Sequence, residues 1–299
     1  MSEPALRITV LCENTAPVGM RAEHGLALLL ETPERRVLLD TGASDAVVHN
    51  AAAMGVPLAP LDAIVLSHGH YDHTGGLAAV LAEVGPTRVV AHPGVFGRKH
   101  AVDGAFERYI GPPHSRGEYE AMGARFALAV EPVAVVPGVR TTGEVPRHVP
   151  DTGLSPRLRV ECDGELVPDP LLDDLSLVAS TPAGVIIVTG CAHAGVRNIV
   201  RRARSLARTA RVRALVGGTH LAGSDEAVVR QVGWGLRELG VERIAPCHCT
   251  GPKAQQVLRD VFGTDLLTIG TGCVLEFDSA GGFRLIEPTV RALAVGGSQ

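Results

Sequence analysis

The chain has 299 residues, of which 45% are hydrophobic and 20% charged, and its formal net charge is −4. This composition excludes a disordered chain, and the lack of a basic excess argues against a dedicated nucleic-acid-binding protein. The longest aliphatic runs, such as residues 26–30, fall far short of the ~20 residues that a membrane helix needs. We therefore expect no membrane association, a cytoplasmic location and a small-molecule substrate, with a homo-oligomer left open.

Short apolar runs typical of strands alternate with helical patterns along the chain. The strand-like runs are residues 6–11, 26–30, 37–39, 63–66, 88–91, 184–188, 212–216, 243–245 and 266–269. Amphipathic helices are predicted at residues 196–206, 224–240 and 252–263, each with its apolar positions on one face. Because strands and helices alternate, the sequence predicts a layered α/β fold.

The segment from residue 93 to residue 170 interrupts this alternation. It is rich in glycine, proline and charged residues and has weak periodicity. We expect an irregular insertion or lid within a single domain of residues 1–299, whose two α/β halves pack sheet to sheet. Within this segment, Arg98, Lys99 and Arg108 are candidates for binding an anionic substrate, although a solvated helix face explains these charges equally simply.

Residues 67–76 hold the densest set of candidate metal ligands. A strand-like run leads into Ser-His-Gly-His-Tyr-Asp-His-Thr-Gly-Gly, which contains His68, His70, Asp72 and His73. In an extended segment His68 and His70 point to the same side. Imidazole and carboxylate groups are the usual ligands of catalytic zinc, and such sites leave one position for water or substrate. The sequence therefore predicts a catalytic metal site after this strand.

Three later segments also place candidate functional groups directly after apolar runs. Thr-Gly-Cys-Ala-His contains Cys191 and His193, Gly-Gly-Thr-His ends at His220, and Pro-Cys-His-Cys-Thr-Gly contains His248. Loops at strand ends commonly carry functional groups. We expect His220 to bind substrate or transfer a proton, while a structural role is the alternative.

The six cysteines are too sparse for a disulfide scaffold and include no C-x-x-C pair, so a structural zinc ribbon is not predicted. Cys247 and Cys249 flank His248 in the sequence. In an extended segment their side chains would alternate away from that of His248. We therefore expect both to be packing residues.

Together these motifs resemble the metallo-β-lactamase superfamily, whose signature is His-x-His-x-Asp-His after a hydrophobic strand. The resemblance implies an αββα sandwich with one or two metal ions, zinc first and iron or manganese as alternatives, at the edge between its sheets. Asp40, in Val-Leu-Leu-Asp-Thr-Gly, would support the site from behind, although that motif could be a simple turn. The implied ligands are His68, His70 and His193 for one metal, and Asp72, His73 and His248 for a second.

Within the superfamily, the full set of motifs resembles the group named for the 7,8-dihydropterin-6-methyl-4-(β-D-ribofuranosyl)aminobenzene 5′-phosphate synthases, over residues 8–275. One position departs from the wider superfamily, where a strand normally ends in Gly-Asp and supplies a bridging carboxylate. This chain has Gly190-Cys191 there. Either Cys191 bridges as a thiolate, or Asp173 or Asp174 acts instead. In both cases we expect Cys191 to lie near the metals.

Three functions are compatible with these residues. The first is a hydrolase whose zinc-activated water attacks a small, anionic ester, lactone or phosphoester, with Asp72 orienting the nucleophile and His220 delivering a proton. The second is the transferase reaction of the synthase group, and the third is a non-catalytic metal-binding scaffold. Hydrolysis is preferred because the residues build a site that activates water, whereas no aromatic platform for a pterin can be named from the sequence.

Overall fold

The computed structural model describes residues 4–150 and 155–288. The strands in this part of the chain are β1 (Leu6–Cys12), β2 (Ala27–Glu31), β3 (Arg36–Leu39), β4 (Ala63–Val65), β5 (Thr87–Ala91), β6 (Lys99–Asp103), β7 (Phe106–Tyr109), β8 (Ala124–Leu128), β9 (Ala134–Val136), β10 (Val139–Thr141), β11 (Leu158–Cys162), β12 (Glu165–Pro168), β13 (Ser176–Thr181), β14 (Gly184–Thr189), β15 (Val212–Gly218), β16 (Ile244–Cys247), β17 (Val274–Phe277) and β18 (Phe283–Ile286). The α-helices are α1 (Ala46–Met54), α2 (Tyr71–Thr74), α3 (Leu77–Val84), α4 (Arg116–Ala121), α5 (Val196–Ala207), α6 (Glu226–Glu238) and α7 (Pro252–Phe262).

The described strands form three sheets. The largest has the order β18-β17-β1-β2-β3-β4-β5-β8, the second β16-β15-β14-β13-β10-β9, and a small sheet β12-β11-β6-β7. In the largest sheet β3, β4, β5 and β8 pair in parallel, and in the second β14, β15 and β16 do so. Since parallel strands end at the same edge, the loops after β14, β15 and β16 lie side by side.

The two large sheets pack face to face and are covered outside by helices. One apolar cluster joins them, with Leu28 and Val65 from the first sheet and Leu177 and Val216 from the second. Helices α5, α6 and α7 share a core with the other face of the second sheet, and α1 and α3 with that of the first. These αββα layers confirm the predicted α/β fold.

Helix α5 shows how the sequence produces this layering. Its buried apolar residues recur three and four positions apart, so they lie on one face of the helix. That face packs on the second sheet while the arginines point elsewhere, and the helix ends at Arg208 in the left-handed conformation. The buried apolar side chains are Val196, Ile199, Val200 and Ala203.

Two local predictions were wrong. Residues 266–269 form no strand, because only Leu266 bridges to Ile244 and glycine follows at position 270. The described part of the segment, residues 93–150 and 155–170, contains ordered strands: β8 extends the largest sheet, β9 and β10 extend the second, and β6, β7, β11 and β12 form the small sheet. Apolar periodicity missed this small sheet because β7 is exposed at all four positions and therefore shows no alternation of buried and exposed residues.

No helix within residues 4–150 and 155–288 has both the length and the apolar character to span a bilayer.

Candidate metal centre

His68, His70 and His193 converge although they come from two different sheets. One nitrogen from each ring lies within 4.8 Å of the others. Nε2 of His68 faces Nδ1 of His70 at 2.8 Å. Burial lowers the pKa of His68 well below its usual value and that of His70 to about 3. Both rings are therefore neutral at pH 7, which is the form that binds metal ions.

Asp72 lies beside this cluster and faces a second group of imidazoles. Its Oδ2 atom is 3.6 Å from Nε2 of His73 and 3.3 Å from Nε2 of His248. Burial alone would raise the pKa of Asp72, but the neighbouring His73 and His248 hold it below the ordinary value. Asp72 is therefore a carboxylate near neutral pH. The structure thus places all six predicted ligands together, and their atoms suit a transition-metal ion.

Asp40 supports this arrangement from behind. Its carboxylate accepts hydrogen bonds from the backbone N–H and the hydroxyl of Ser67, both at 2.7 Å, and lies 2.7 Å from Nδ1 of His73. Burial alone would lower the pKa of His73, but Asp40 and then Asp72 raise it to about 9. The contact with Asp40 also turns Nε2 of His73 toward the site. These contacts are more than a simple turn requires.

We expect Asp40→Asn to weaken metal binding by about 10–100-fold, the usual effect of removing a carboxylate that orients a metal-binding histidine. The carboxylate-to-amide change keeps the shape but loses the anion beside His73. Metal titration with a competing chelator measures the effect. Asp45→Asn is the control, because Asp45 is an exposed partner of Arg21. Equal affinities for Asp40→Asn and the unmodified protein would contradict this role.

Cys191 lies among the candidate ligands, as the sequence predicted. Its Sγ atom is 3.1 Å from Nε2 of His73, and its side chain is buried. Cys191 belongs to three of the candidate metal-binding groups in the described chain: with His68 and His73, with His193 and His220, and with His248 and Cys249. Cys191 therefore lies between the candidate metal positions, where a bridging ligand would lie.

Asp173 and Asp174 are the alternatives to Cys191 in place of the missing bridging carboxylate. Asp173 accepts hydrogen bonds from the backbone N–H of Gly69 at 2.8 Å and from Lys99 at 3.0 Å. Asp174 accepts one from the backbone N–H of Ala194 at 2.9 Å, and burial raises its pKa to about 7. Neither belongs to a candidate metal group among the described residues. Asp173 is thus engaged with Lys99 and Gly69, whereas a near-metal role for Asp174 stays a prediction, since its Oδ1 atom is buried without a hydrogen-bond partner.

Cys247 and Cys249 have different surroundings. Cys247 is fully buried in the apolar core, which confirms it as a packing residue. The prediction for Cys249 was wrong, since its sulfur lies within 4.8 Å of ligand atoms of Cys191 and His248. The reason is local: β16 ends at Cys247, and His248–Thr250 form a 3₁₀ turn. Strand alternation therefore no longer governs where the Cys249 side chain points.

The sequence analysis missed three residues that surround His248. His24 lies 3.3 Å from Asp72, and its ring stacks on that of His248 with centroids 4.9 Å apart. Glu13 accepts a hydrogen bond from the backbone N–H of His248 at 2.7 Å, and Asn14 Oδ1 lies 3.0 Å from its Nδ1. The one available signal in the sequence was His24, in Glu-His-Gly just before β2. This histidine precedes a strand, whereas the other candidate ligands follow one.

Backbone strain also concentrates at this centre. Of the seven non-glycine residues with positive φ in the described chain, four lie around the centre: Asp40 at 60°, Ala192 at 61°, His220 at 51° and His248 at 52°. L-residues rarely adopt this conformation, and each instance costs on the order of 1–3 kcal/mol. The surrounding hydrogen bonds hold these residues in place, so the backbone is preorganised where the candidate ligands lie.

A cavity of about 560 Å³ opens onto the centre. Its inner wall includes His70, Asp72 and Cys191, and its outer wall includes Phe106 and Arg108 of the small sheet. The 93–170 segment therefore shapes the cavity, although it does so with ordered strands. His220 also lines the cavity, and its ring centroid is 4.1 Å from that of His193.

The three cationic candidates of this segment lie in different surroundings. Arg108 lines the cavity, with its guanidinium 4.6 Å from the centroid of the Tyr71 ring. The predictions for Arg98 and Lys99 were wrong. Arg98 pairs with Glu161 at 2.6 Å and lines a different surface groove. Lys99 is 2% exposed and points inward, where two carboxylates neutralise its charge.

A layered αββα fold with buried imidazoles at the edge between its sheets defines a class of metal-binding proteins, and comparisons identify the family. The model of the metallo-beta-lactamase superfamily matches residues 20–248. The chain belongs to this superfamily, and its fold typically binds metal ions.

Two relatives come from Methanocaldococcus jannaschii. One is named 7,8-dihydropterin-6-methyl-4-(beta-D-ribofuranosyl)-aminobenzene-5'-phosphate synthase; it is 30% identical over 271 residues, covering 86% of this chain and 90% of the relative. The other, the uncharacterized protein MJ0448, is 31% identical over 250 residues, covering 83% and 91%. The crystal structure of Tm1679, described as a metal-dependent hydrolase of the beta-lactamase superfamily, is also similar. It has a TM-score of 0.79 and 29% identity, covering 91% of this chain and 99% of that one.

Proposed function

We propose that the chain is a metal-dependent hydrolase that acts on a small anionic ester, lactone or phosphoester. The observation that carries this proposal is the convergence of buried imidazoles, Asp72 and Cys191 beside one cavity. His68, His70 and His193 would hold one ion, and Asp72, His73 and His248 a second. Zinc, when bound, supplies an activated water near neutral pH and stabilises developing negative charge.

His220 would act as the proton donor. It lines the cavity, and its ring lies next to that of His193. Burial alone would lower the pKa of His220, but its contact with Cys249 raises it above the ordinary value. An imidazole that keeps its proton near neutral pH can protonate a leaving group as the scissile bond breaks. Asp72, which also lines the cavity, would orient the nucleophile.

The positive charge of arginine on the outer wall of the cavity favours an anionic substrate. Arg108 lines the cavity, with its guanidinium over the Tyr71 ring, and Arg157 lines it too but is paired with Asp103. A planar guanidinium presents paired donors that match a phosphate or carboxylate. The substrate would then have its reactive bond at the metal wall and its anionic group at the small sheet.

We expect Arg108→Ala to lower kcat/KM for an anionic substrate by roughly 10–100-fold, mainly through KM, because a charge-assisted contact is worth about 1.5–3 kcal/mol. Metal content should stay unchanged. Arg98→Ala is the matched control, since Arg98 belongs to the same segment but lines a separate groove. Steady-state kinetics and metal analysis measure both variants. Indistinguishable kinetics for Arg108→Ala and Arg98→Ala would remove Arg108 from the substrate site.

The test of the proposed function is a substrate panel given to protein of measured metal content. The panel contains a lactone, a thioester, phosphomonoesters and phosphodiesters, each also tested after chelation. Hydrolysis that disappears with chelation and returns with zinc supports the proposal. Absence of turnover across the panel, despite full metal loading, would contradict hydrolysis.

A second candidate is transfer rather than hydrolysis, as the name of one relative indicates. One observation favours it: Tyr71 and Phe106 both line the cavity, and Phe106 is 64% exposed. These rings give a flat heterocycle a surface to stack on, which the sequence alone did not reveal. A pterin-methyl diphosphate supplied with and without an arylamine separates the two reactions. Carbon–nitrogen product formed faster than any ester hydrolysis would establish transfer.

A further inference from the structure

We propose that Cys191 and Cys249 act together as thiolate ligands, so that the position beside His248 selects a thiophilic ion such as Zn²⁺, Co²⁺ or Fe²⁺ over Mn²⁺. This inference rests on the metal site of the proposed function. It adds a ligand, Cys249, outside the six-residue set, and it makes a prediction about which metal is bound.

The first support is the position of the two sulfur atoms. Sγ of Cys191, Sγ of Cys249 and a ring nitrogen of His248 all lie within 4.8 Å of one another. Metal bonds of about 2.3 Å to sulfur and about 2.0 Å to nitrogen place the ligands of a tetrahedral ion roughly 3–4 Å apart. Small side-chain rotations therefore suffice to bring these three atoms onto one ion.

The second support is the way the backbone is shaped around Cys249. His220 adopts a left-handed φ of 51°, and its backbone N–H donates to Sγ of Cys249 at 3.2 Å. Gly218 provides the space, since a Cβ atom there would lie 2.6 Å from that sulfur. Hydrogen bonds to sulfur favour the thiolate, the form that binds metals. The His220 N–H thus stabilises negative charge on this sulfur, and loss of the thiol proton would break only the long contact of Cys249 with the Cys191 carbonyl oxygen at 3.5 Å.

The third support is the contrast with other cysteines. Cys247, two positions from Cys249, is packed in the apolar core. Cys12 contacts the carboxylate of Glu23 at 3.1 Å, which raises the pKa of its thiol beyond the effect of burial. Among cysteines in the described ranges, Cys191 and Cys249 alone belong to candidate metal groups. Their position among the candidate ligands therefore distinguishes Cys191 and Cys249 from these other cysteines.

The chemical consequence is selectivity. Thiolates are soft ligands that favour zinc, cobalt and iron, whereas Mn²⁺ prefers carboxylate, carbonyl and water oxygens. In the wider superfamily the bridging position is a carboxylate, as the resemblance implies, and a carboxylate tolerates harder ions. Replacing it by Cys191 and adding Cys249 shifts the preference toward thiophilic ions.

Cobalt spectroscopy tests the proposal directly. Protein freed of metal is loaded with Co²⁺, and the bound cobalt is quantified. We expect a near-ultraviolet band from thiolate-to-cobalt charge transfer, partly lost in Cys191→Ser and in Cys249→Ser and absent in the double variant. Cys247→Ala is the matched control and should keep the full band. Zinc affinity of Cys249→Ser should fall by more than the roughly 10–100-fold expected for residues that only orient ligands, with little change for Mn²⁺.

The outcomes separate this inference from the function it rests on. Full cobalt binding with an unchanged band in Cys249→Ser overturns the thiolate pair but leaves the metal site standing. Failure of the unmodified protein to bind any divalent metal overturns both. Should Cys249→Ser fail to fold, zinc X-ray absorption on the unmodified protein decides. Two sulfur atoms per sulfur-bound zinc at about 2.3 Å support the pair, and a single or absent sulfur shell overturns it.

Discussion

Replacing His68 or His70 with alanine is expected to remove one metal equivalent and reduce activity to the level of chelated protein. Each substitution deletes one of three converging nitrogens, and the remaining two cannot complete a tetrahedral site. The loss of affinity should exceed the roughly 10–100-fold expected for residues that only orient ligands. Metal analysis after gel filtration and the substrate assay together measure the effect.

His49→Ala serves as the control for these variants. His49 lies on α1, outside the cavity and the candidate metal groups of the described chain. It should bind metal and turn over substrate as the unmodified protein does. A His68→Ala protein that is folded and retains its full metal content would contradict the prediction that His68 binds metal.

Replacing Lys99 with methionine is expected to lower the free energy of unfolding by about 3–5 kcal/mol, because two carboxylates would stay buried without their cation. Nζ of Lys99 lies 2.8 Å from Asp169 and 3.0 Å from Asp173. Burial alone would lower the pKa of Lys99, but Asp173 and Asp169 raise it above its ordinary value. The side chain is therefore charged, and methionine keeps its length without that charge. Urea denaturation at matched metal content measures the loss.

Arg98→Met is the paired control, since Arg98 directly precedes Lys99 and its side chain is 65% exposed. An exposed ion pair contributes roughly 0–1 kcal/mol to stability. This variant should therefore unfold at nearly the same urea concentration as the unmodified protein. Similar decreases in the free energy of unfolding for both variants would mean that the buried ion pairs of Lys99 contribute no more stability than the exposed pair of Arg98. A Lys99→Met protein with normal stability and raised KM would restore Lys99 as a substrate ligand.

The sequence was sufficient for the main layers of the fold and for most of the candidate ligands because both depend on local patterns. Apolar runs marked the two large sheets, and candidate ligands followed strands β4, β14 and β16. Parallel pairing brings the ends of β14, β15 and β16 together. His68 and His193 follow strands of different sheets, so they were assigned to one site from the resemblance to the superfamily and not from strand pairing.

The remaining residues could not be predicted because their positions depend on nonlocal contacts. His24 reaches Asp72 only because the loop before β2 folds over the site. Arg98 and Lys99 are adjacent in sequence, yet only the side chain of Lys99 is buried. Its partner Asp169 lies directly after β12, 70 residues further along the chain. Cys249 was misassigned because a 3₁₀ turn replaced the assumed strand.

The ion pairs of Lys99 also connect the small sheet to the loop that carries His68 and His70. β6 begins at Lys99, whose partner Asp173 binds the backbone of Gly69 between two candidate ligands. Strand β7, at the free edge of the same sheet, carries Phe106 and Arg108, and the Arg108 guanidinium lies over the ring of Tyr71, next to two candidate ligands. Both strands of this hairpin therefore contact the segment that carries the candidate ligands, β6 through buried ion pairs and β7 through a side chain on the cavity wall. A substitution at Phe106, which is exposed, would change the shape of the cavity and leave the ion pairs of Lys99 in place.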